Sequence, residues 1–457
     1  MNDTIAAIAT PAGEGGVSLI RISGERAREC ALSLFRTPRG ARLDDPAPRK
    51  VYFGEIADPA GECLDQACLT WFKAPRSYTA EDVVEITAHG GVWVTTRILQ
   101  AILDQGARLA EPGEFTRRAF LNGRIDLSQA EAVADLIAAA SDRALHTAVS
   151  HLKGGLSHKL GGLYDRLIGV LSHLEAAIDF SEDGLTFQSA EESLRIVRSV
   201  QKEIQTLVES YRQGKIYREG ARVAIAGKPN VGKSSLLNAL LQEDRAIVTP
   251  FSGTTRDTLE ERVRIHDIHI QIIDSAGIRQ HPEAIEALGI ERTRHALERA
   301  DLALVLFDAS QPLDSDDRLL IDTVRGKPLI VLLNKNDLEP HIDEGEIRAQ
   351  LPQAPVLSLS AQTGTGLAEL CDAIYQTVAG GTTPDTSLWI TRERHRQHLV
   401  RARDALEQTC QSLEQNRSEE LVAVDLNLAL DHLGAILGKT FAEDLLDHIF
   451  GQFCIGK

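Results

Sequence analysis

The eight residues Gly227-Lys-Pro-Asn-Val-Gly-Lys233-Ser234 constrain this chain more than any other segment. An apolar run, Val223-Ala-Ile-Ala226, precedes them with the composition of a buried strand. Ser235-Leu-Leu-Asn-Ala-Leu-Leu241 follows with the spacing of an amphipathic helix. A glycine-rich turn between strand and helix can gather backbone N–H groups at a helix N-terminus. That geometry suits phosphate, because the amides bond its oxygens and the helix dipole favours its charge. Lys233 is expected to neutralise the outer phosphates and Ser234 to hold Mg2+. A turn that binds nothing is the alternative, and the spacing and flanks argue against it.

At 457 residues the chain exceeds one ordinary core, and a prior of roughly 150 residues per domain gives two to four domains. With 43% hydrophobic and 25% charged residues it has the composition of a soluble globular protein. No apolar run approaches the roughly 20 residues of a membrane span. Met1-Asn-Asp-Thr-Ile5 lacks the basic start and apolar core of a signal peptide, so a cytoplasmic protein is expected. The formal net charge of −17 argues against a broad surface that coats nucleic acid, which needs concentrated Lys and Arg. A local basic patch, or a basic partner that carries the nucleic acid, stays open. The cysteines Cys30, Cys63, Cys68, Cys371, Cys410 and Cys454 form no CxxC pair, which leaves zinc-knuckle and thioredoxin motifs unsupported. Reduced thiols are expected. Gly456 and Lys457 break any prenylation box at Cys454.

From Met1 to about Leu121, short β-like runs alternate with glycine turns: Val17–Ile22, Leu69–Phe72 and Val83–Thr87. The turn-rich Ala74-Pro-Arg-Ser-Tyr78 separates the last two. A helix is expected after His89-Gly-Gly91, through Val94, Ile98, Ala101 and Ile102. Residues 1–121 therefore read as an α+β domain. Ser128-x-x-Glu131 predicts a capping box opening a helix from Ala132 to Ala140. Leu163, Leu167, Val170, Leu174 and Ile178 mark one apolar helical stripe, and Ile196, Val200, Ile204 and Leu207 another. Packing in a helix bundle explains both better than a ligand box. Gln213-Gly-Lys215 predicts a hinge into a nucleotide domain, and Gly380-Gly-Thr-Thr-Pro384 its exit. Thr391 to Lys457 reads as helical again. The nucleotide domain, residues 218–380, is thus expected as an insertion in a helical domain of residues 122–217 and 381–457. Flanks that each lack a full core would pack together.

Further elements follow in the order of a guanine-nucleotide switch. In Gly253-Thr-Thr-Arg-Asp257 a threonine can meet Mg2+ through its hydroxyl and the γ-phosphate through its amide, and Thr255 fits best. The alternating Ile268–Ile273 ends at Asp274-Ser-Ala-Gly277. There Asp274 would hold Mg2+ through water, and the Gly277 amide would sense the γ-phosphate. After the apolar Leu302–Phe307, the run Leu329–Leu333 leads to Asn334-Lys-Asn-Asp337. The Asp337 carboxylate can accept both N1–H and the exocyclic amine of guanine, a pair adenine lacks. Lys335 would lie along the base, and Asn334 would tie this loop to the phosphate loop. The Ala361 amide of Ser360-Ala-Gln362 would meet the guanine oxygen. In this order the motifs predict a GTPase. Ile278 stands where many GTPases carry a water-orienting glutamine, so another polar group is needed. A carboxylate in Glu283-Ala-Ile-Glu286 is the candidate. Asn230 is either a structural loop residue or an oxygen ligand for a monovalent cation, whose charge would act as an arginine finger does.

Motifs outside the nucleotide domain carry a further signal. They are Arg21-Ile-Ser-Gly24, Glu81-Asp-Val-Val-Glu85 with His89-Gly-Gly91, Glu111-Pro-Gly-Glu-Phe-Thr116 through Arg118-Ala-Phe-Leu-Asn122, Asp126-Leu-Ser-Gln-Ala-Glu-Ala132 and Phe453-Cys-Ile-Gly-Lys457. With them the chain resembles, over essentially its full length, the tRNA-modification GTPase family MnmE (also TrmE). The resemblance implies a multidomain α/β architecture. A Ras-like P-loop GTPase domain would be inserted in a helical domain, preceded by an N-terminal α+β domain. That first domain would form a homodimer and bind formyl- or methylene-tetrahydrofolate through Arg21, Glu85, Arg124 and Lys457. Arg124 replaces the family's usual lysine, keeping the charge and changing the geometry. The family's potassium ligands map to Asn230 and, through backbone oxygens, to Thr249, Phe251 and Thr254. Its water-orienting glutamate maps to Glu286, and its tail cysteine, needed for modification, to Cys454. Glu14 stands where the family usually carries arginine.

Motifs and resemblance together give the expected nucleotide contacts. The phosphate loop supplies Asn230, Val231, Gly232, Lys233, Ser234 and Ser235. The switch supplies Thr249, Pro250, Phe251, Ser252, Gly253, Thr254 and Thr255, followed by Asp274, Ser275, Ala276 and Gly277. The base is met by Asn334, Lys335, Asn336 and Asp337, with Ser360, Ala361 and Gln362. Mg2+ is expected on Ser234 and Thr255, and catalytic roles fall to Lys233, Glu286 and Cys454. The implied partner is the flavoprotein MnmG. Together the two would install a carboxymethylaminomethyl or aminomethyl group at C5 of the wobble uridine of certain tRNAs. Folate would supply the one-carbon unit, and potassium-dependent dimerisation of the GTPase domains would activate hydrolysis. A ribosome-assembly GTPase is the alternative, and would carry an RNA-binding module in place of Arg21-Ile-Ser-Gly24 and the Cys-Ile-Gly-Lys tail. A scaffold with a dead nucleotide site is disfavoured because every phosphate and base element is intact.

Overall fold

The computed structural model describes residues 3–179, 189–243, 261–273, 295–380 and 388–457. The chain divides into two compact units, one of residues 1–137, 151–198 and 405–457, the other of residues 138–150 and 199–404. The first is built on a seven-stranded sheet. Its strands are β1 (Ile5–Ile8), β2 (Gly15–Ser23), β3 (Phe35–Arg36), β4 (Val51–Ala57), β5 (Cys63–Phe72), β6 (Val83–Gly90) and β7 (Arg108–Leu109), in the order β3-β4-β5-β6-β2-β1-β7. Neighbours run antiparallel except β1 and β7. Alternation along each strand decides the faces. Ile20 and Ile22 of β2, Leu69 and Trp71 of β5, and Val84 and Ile86 of β6 enter one core with the helices Ala27–Leu34 and Val92–Asp104. Arg21 and Glu85 fall on the other face, where the antiparallel register sets them directly across from each other.

Helices complete this unit. Glu114–Leu121 and Leu127–Ala138 bring Phe120, Leu127, Ala130 and Val133 against Leu446, Ile449, Phe450 and Phe453. The helix Gly155–Asp179 packs on Glu419–Leu437 and buries Leu163, Leu167, Val170 and Leu174, as their spacing predicts. In the helix Ala190–Glu209, whose residues from Ser199 onward belong to the second unit, Val197 and not Ile196 is buried with Val200, Ile204 and Leu207. The expected capping box is displaced. The helix starts at Leu127, the Gln129 N–H donates to Asp126 Oδ1 at 2.9 Å, and the Asp126 N–H donates to Gln129 Oε1 at 3.0 Å. Asp126 wins because a carboxylate accepts strongly at the positive end of a helix. Ser128 lies inside the first turn and donates to Asp126 Oδ1 at 2.8 Å.

The second unit holds a six-stranded sheet of β8 (Ala221–Gly227), β9 (Glu261–Ile265), β10 (Ile268–Ile273), β11 (Leu302–Asp308), β12 (Leu329–Asn334) and β13 (Val356–Ser358), in the order β13-β12-β11-β8-β10-β9. All neighbours are parallel except β9 and β10. Helices cover both faces, which is why β11 and β12 read as unbroken apolar runs. Lys233–Glu243 and Leu367–Ala379 lie on one side, Ser315–Val324 and Glu344–Gln350 on the other. Gln213-Gly-Lys215 is not a hinge loop. It lies inside the helix Tyr211–Glu219, where buried Ile216 and Tyr217 anchor the segment in the sheet's core. Gly380 ends Leu367–Ala379 with φ 76°, and the rest of the expected exit, Gly381 to Pro384, lies outside the described residues. Among the described residues no helix is long and apolar enough to cross a membrane.

Candidate functional site

β8 ends in the phosphate-loop segment at the carboxyl end of the parallel strands, where open α/β sheets bind ligands. Gly227, Asn230 and Gly232 take φ of 159°, 64° and 103°. A Cβ at Gly232 would lie 2.1 Å from Asn334 Nδ2, so only glycine lets the two loops close together. Asn334 Nδ2 donates to the Val231 carbonyl at 2.7 Å, and Asn334 Oδ1 accepts the Ala361 N–H at 3.0 Å. The Asn336 N–H donates to the Leu359 carbonyl at 3.1 Å. One buried amide side chain thus joins three loops that are distant in sequence. The Ala361 N–H was expected to meet the guanine oxygen. Bonded to Asn334 here, it would have to share that bond or exchange it.

The charges are placed by the same strand ends. Lys233 Nζ donates to the carbonyls of Gly227 at 2.7 Å and Lys228 at 2.6 Å. Burial pushes its pKa down, so an anion brought to it would relieve an unfavourable desolvation. Lys335, at φ 68°, places Nζ 2.6 Å from Asp308 Oδ2 at the end of β11. Burial raises the Asp308 carboxyl, but bonds from Lys335 and Ser310 outweigh it and hold the pKa below its usual value. Lys228 pairs with Asp314 at 2.6 Å and Asp317 at 2.8 Å, pinning the loop to the helix Ser315–Val324. Asp308 and Lys228 were missed in the sequence. The available signal was a carboxylate closing a buried strand. Asn230, Ser234, Ser235, Asn336, Asp337 and Gln362 are exposed, while Val231 and Ser360 are buried. Thr249, Pro250, Phe251, Ser252, Gly253, Thr254, Thr255, Asp274, Ser275, Ala276, Gly277, Ile278, Glu283 and Glu286 lie outside the described residues. Among the described residues no three His, Cys, Asp or Glu side chains gather as a metal site.

A second cluster lies in the first unit. Arg21 Nη2 sits 2.8 Å from Glu85 Oε1, and Arg21 Nη1 donates to the Gly456 carbonyl at 3.2 Å. The tail is held by the Phe115 N–H on the Lys457 carbonyl at 3.1 Å and the Gly113 N–H on the Cys454 carbonyl at 3.5 Å. Gly456 takes φ 93°, and a Cβ there would lie 2.5 Å from the Ile8 carbonyl. Burial, followed by the charge of Arg21, pushes the Lys457 ammonium pKa down. Arg124 Nη1 donates to the Tyr78 carbonyl at 2.6 Å. Arg21, Glu85 and Lys457 are therefore gathered, and Arg124 joins them through Tyr78. Cys454 is an exposed free thiol. Tyr78 and Phe115 were not singled out in the sequence.

Comparison with known proteins places these two clusters in one family. A family model described as "GTP-binding protein TrmE N-terminus" matches residues 4–124, and "MnmE helical domain" matches residues 127–454. The "tRNA modification GTPase MnmE" of Syntrophus aciditrophicus (strain SB) is 46% identical over 461 residues, covering 100% of each chain. Proteins of the same name from Heliobacterium modesticaldum (strain ATCC 51547 / Ice1) and Bacillus subtilis (strain 168) are 44% and 42% identical, again over 100% of each chain. Among solved structures, Era in complex with MgGDPNP and a 16S ribosomal RNA fragment aligns with 40% of this chain and 66% of its own, at 29% identity and a TM-score of 0.28. That score supports nothing further. Matched along its whole length by such relatives, the chain belongs to the MnmE family of tRNA modification GTPases.

Proposed function

We propose that this GTPase acts with a flavoprotein of the MnmG kind to add a carboxymethylaminomethyl or aminomethyl group at C5 of the wobble uridine of certain tRNAs, in the cytoplasm and as a homodimer. The observation that carries the reading is the seating of Cys454 to Lys457 against the Arg21–Glu85 pair. Arg21, Glu85, Arg124 and Lys457 would hold a formyl- or methylene-tetrahydrofolate, which supplies a one-carbon unit. Three cations against one carboxylate suit a planar ligand with an anionic tail. Cys454 would stand at the same cleft.

The nucleotide domain, read as residues 218–380 within helical flanks, would drive the cycle. Lys233 and the amides around it would hold the β- and γ-phosphates, and Asp337 would select guanine. Ser234 and Thr255 would hold Mg2+, which neutralises phosphate charge. Asn230, with backbone oxygens of Thr249, Phe251 and Thr254, would hold K+ beside the phosphates, where its charge favours the transition state. Glu286 would orient the attacking water. Deleting the gene and weighing the wobble uridines of bulk tRNA tests the function: the modified nucleoside is expected to vanish. An unchanged mass spectrum overturns the reading. In parallel, hydrolysis is expected to run at least about tenfold faster in K+ than in Na+, and equal rates remove the potassium step.

A further inference from the structure

The segment Ala74 to Glu81 brings one aromatic side chain, Tyr78, beside two cations of this cluster. The guanidinium carbon of Arg21 lies 5.2 Å from the Tyr78 ring centre, and that of Arg124 lies 5.0 Å from it. Both distances fall within reach of a cation–π attraction. Arg21 also lies 5.7 Å from the Phe115 ring. The Tyr78 ring is itself fixed. Its hydroxyl bonds Thr116 Oγ1 at 2.8 Å, and its own carbonyl accepts from Arg124 Nη1 at 2.6 Å. The next residue is held as well, because Asn122 Nδ2 donates to the Thr79 carbonyl at 2.7 Å.

Arg21 has a carboxylate partner in Glu85 at 2.8 Å. Arg124 has a backbone carbonyl and the aromatic face. Two like charges sharing one neutral ring repel each other, and the ring's electron density offsets part of that cost. Lysine at position 124 would bring a compact ammonium, whereas arginine presents a plane that can lie on the ring. The ring therefore matters more in this chain than a lysine would require.

We propose that Tyr78 is a positioning residue of the folate cleft: its ring holds Arg21 and Arg124 in the arrangement that receives the anionic, planar ligand. This rests on the folate reading above. The test compares wild type with Tyr78→Phe, Tyr78→Leu and Tyr78→Ala in the full chain. Binding of 5-formyltetrahydrofolate is followed by calorimetry. Reaction of Arg21 and Arg124 with phenylglyoxal is followed by peptide mass mapping without ligand. The phenylalanine variant is expected to bind within about twofold of wild type, and the leucine and alanine variants about tenfold more weakly. Both arginines are expected to react faster in the leucine and alanine variants only. GTP hydrolysis is expected to be unchanged throughout, and in urea the first unit, which carries Tyr78, is expected to keep its own cooperative transition, which shows that the variants are folded. Wild-type affinity in Tyr78→Leu, or an equal loss in Tyr78→Phe, overturns the proposal. If the wild type itself fails to bind the folate, the ligand reading falls, and unchanged arginine reactivity then overturns the role of Tyr78 as well.

Discussion

Glu114 shows how much one carboxylate can hold at the residue scale. Its Oε1 meets Arg108 Nη2 at 2.5 Å and Arg118 Nη2 at 3.0 Å, and its Oε2 accepts the Glu111 N–H at 2.9 Å. Arg118 is 1% exposed and also reaches Asp3 Oδ1 at 2.8 Å and Glu81 Oε2 at 3.3 Å. Burial raises the Glu114 carboxyl, but the two arginines and the Glu111 amide hold its pKa below 4.5. A depressed carboxylate stabilises the fold fully above its unfolded pKa and loses that contribution as pH falls through the folded value. Glu114→Gln is therefore expected to cost about 1–3 kcal/mol at pH 7, because it takes from the buried Arg118 guanidinium one of its three carboxylates and leaves Asp3 and Glu81. The gap to wild type should stay constant down to about pH 4.5 and narrow below it. Urea unfolding across that range measures it, and a gap unchanged at pH 3.5 would refute it. Glu114 and Phe115 stood inside a motif visible in the sequence, yet their partners did not. Short-range chemistry such as Lys233 after Gly232 is written in consecutive letters. Tyr78 or Asp308 gains meaning only from residues far along the chain.

The hairpin of β9 and β10 makes the corresponding point for elements. It lies in sequence between the Thr255 segment and Asp274. Its turn is held by Arg143, whose Nε lies 2.5 Å from Asp267 Oδ2 and whose Nη1 donates to the Tyr217 hydroxyl at 2.7 Å. The same guanidinium lies 5.1 Å from the Tyr217 ring centre, and that ring stacks on Trp389 at 4.8 Å. His269 bonds the Ala140 carbonyl. Arg143→Ala and Asp267→Ala should each cost about 1–2 kcal/mol, between the values for exposed and buried pairs. Their double variant should fall short of the sum by at least about 0.5 kcal/mol, and strict additivity would show that the pair does not act together. Alternation announced β10, but neither the helix Asp142–Leu152 that carries Arg143 nor this contact. Periodicity also missed the start of the helix at Leu127 and the burial of Val197, because stripe spacing tolerates a one-residue shift that only packing resolves.

Among the described residues, each of the two compact units has a core on its own sheet. One lies on the seven-stranded sheet, around Ile20, Leu69 and Ile86. The other fills both faces of the six-stranded sheet, around Leu304, Val305, Ile330 and Val331. Unfolding should therefore depart from a single two-state transition. GDP at a hundred times its Kd should raise only the transition of the unit that holds the phosphate loop, by about 2.7 kcal/mol. Calorimetry with and without GDP decides this, and one transition that moves as a block would contradict it. By itself the sequence determined the glycine-rich turn between β8 and its helix, the loop that follows β12 and the apolar strands between them, because each is a local pattern whose spacing carries its own geometry. The tertiary structure alone decided that Gly456 and Lys457 lie beside Arg21, and that Asn334 joins three loops. Those contacts depend on sheet register and on chain closure over hundreds of residues, which no local spacing encodes.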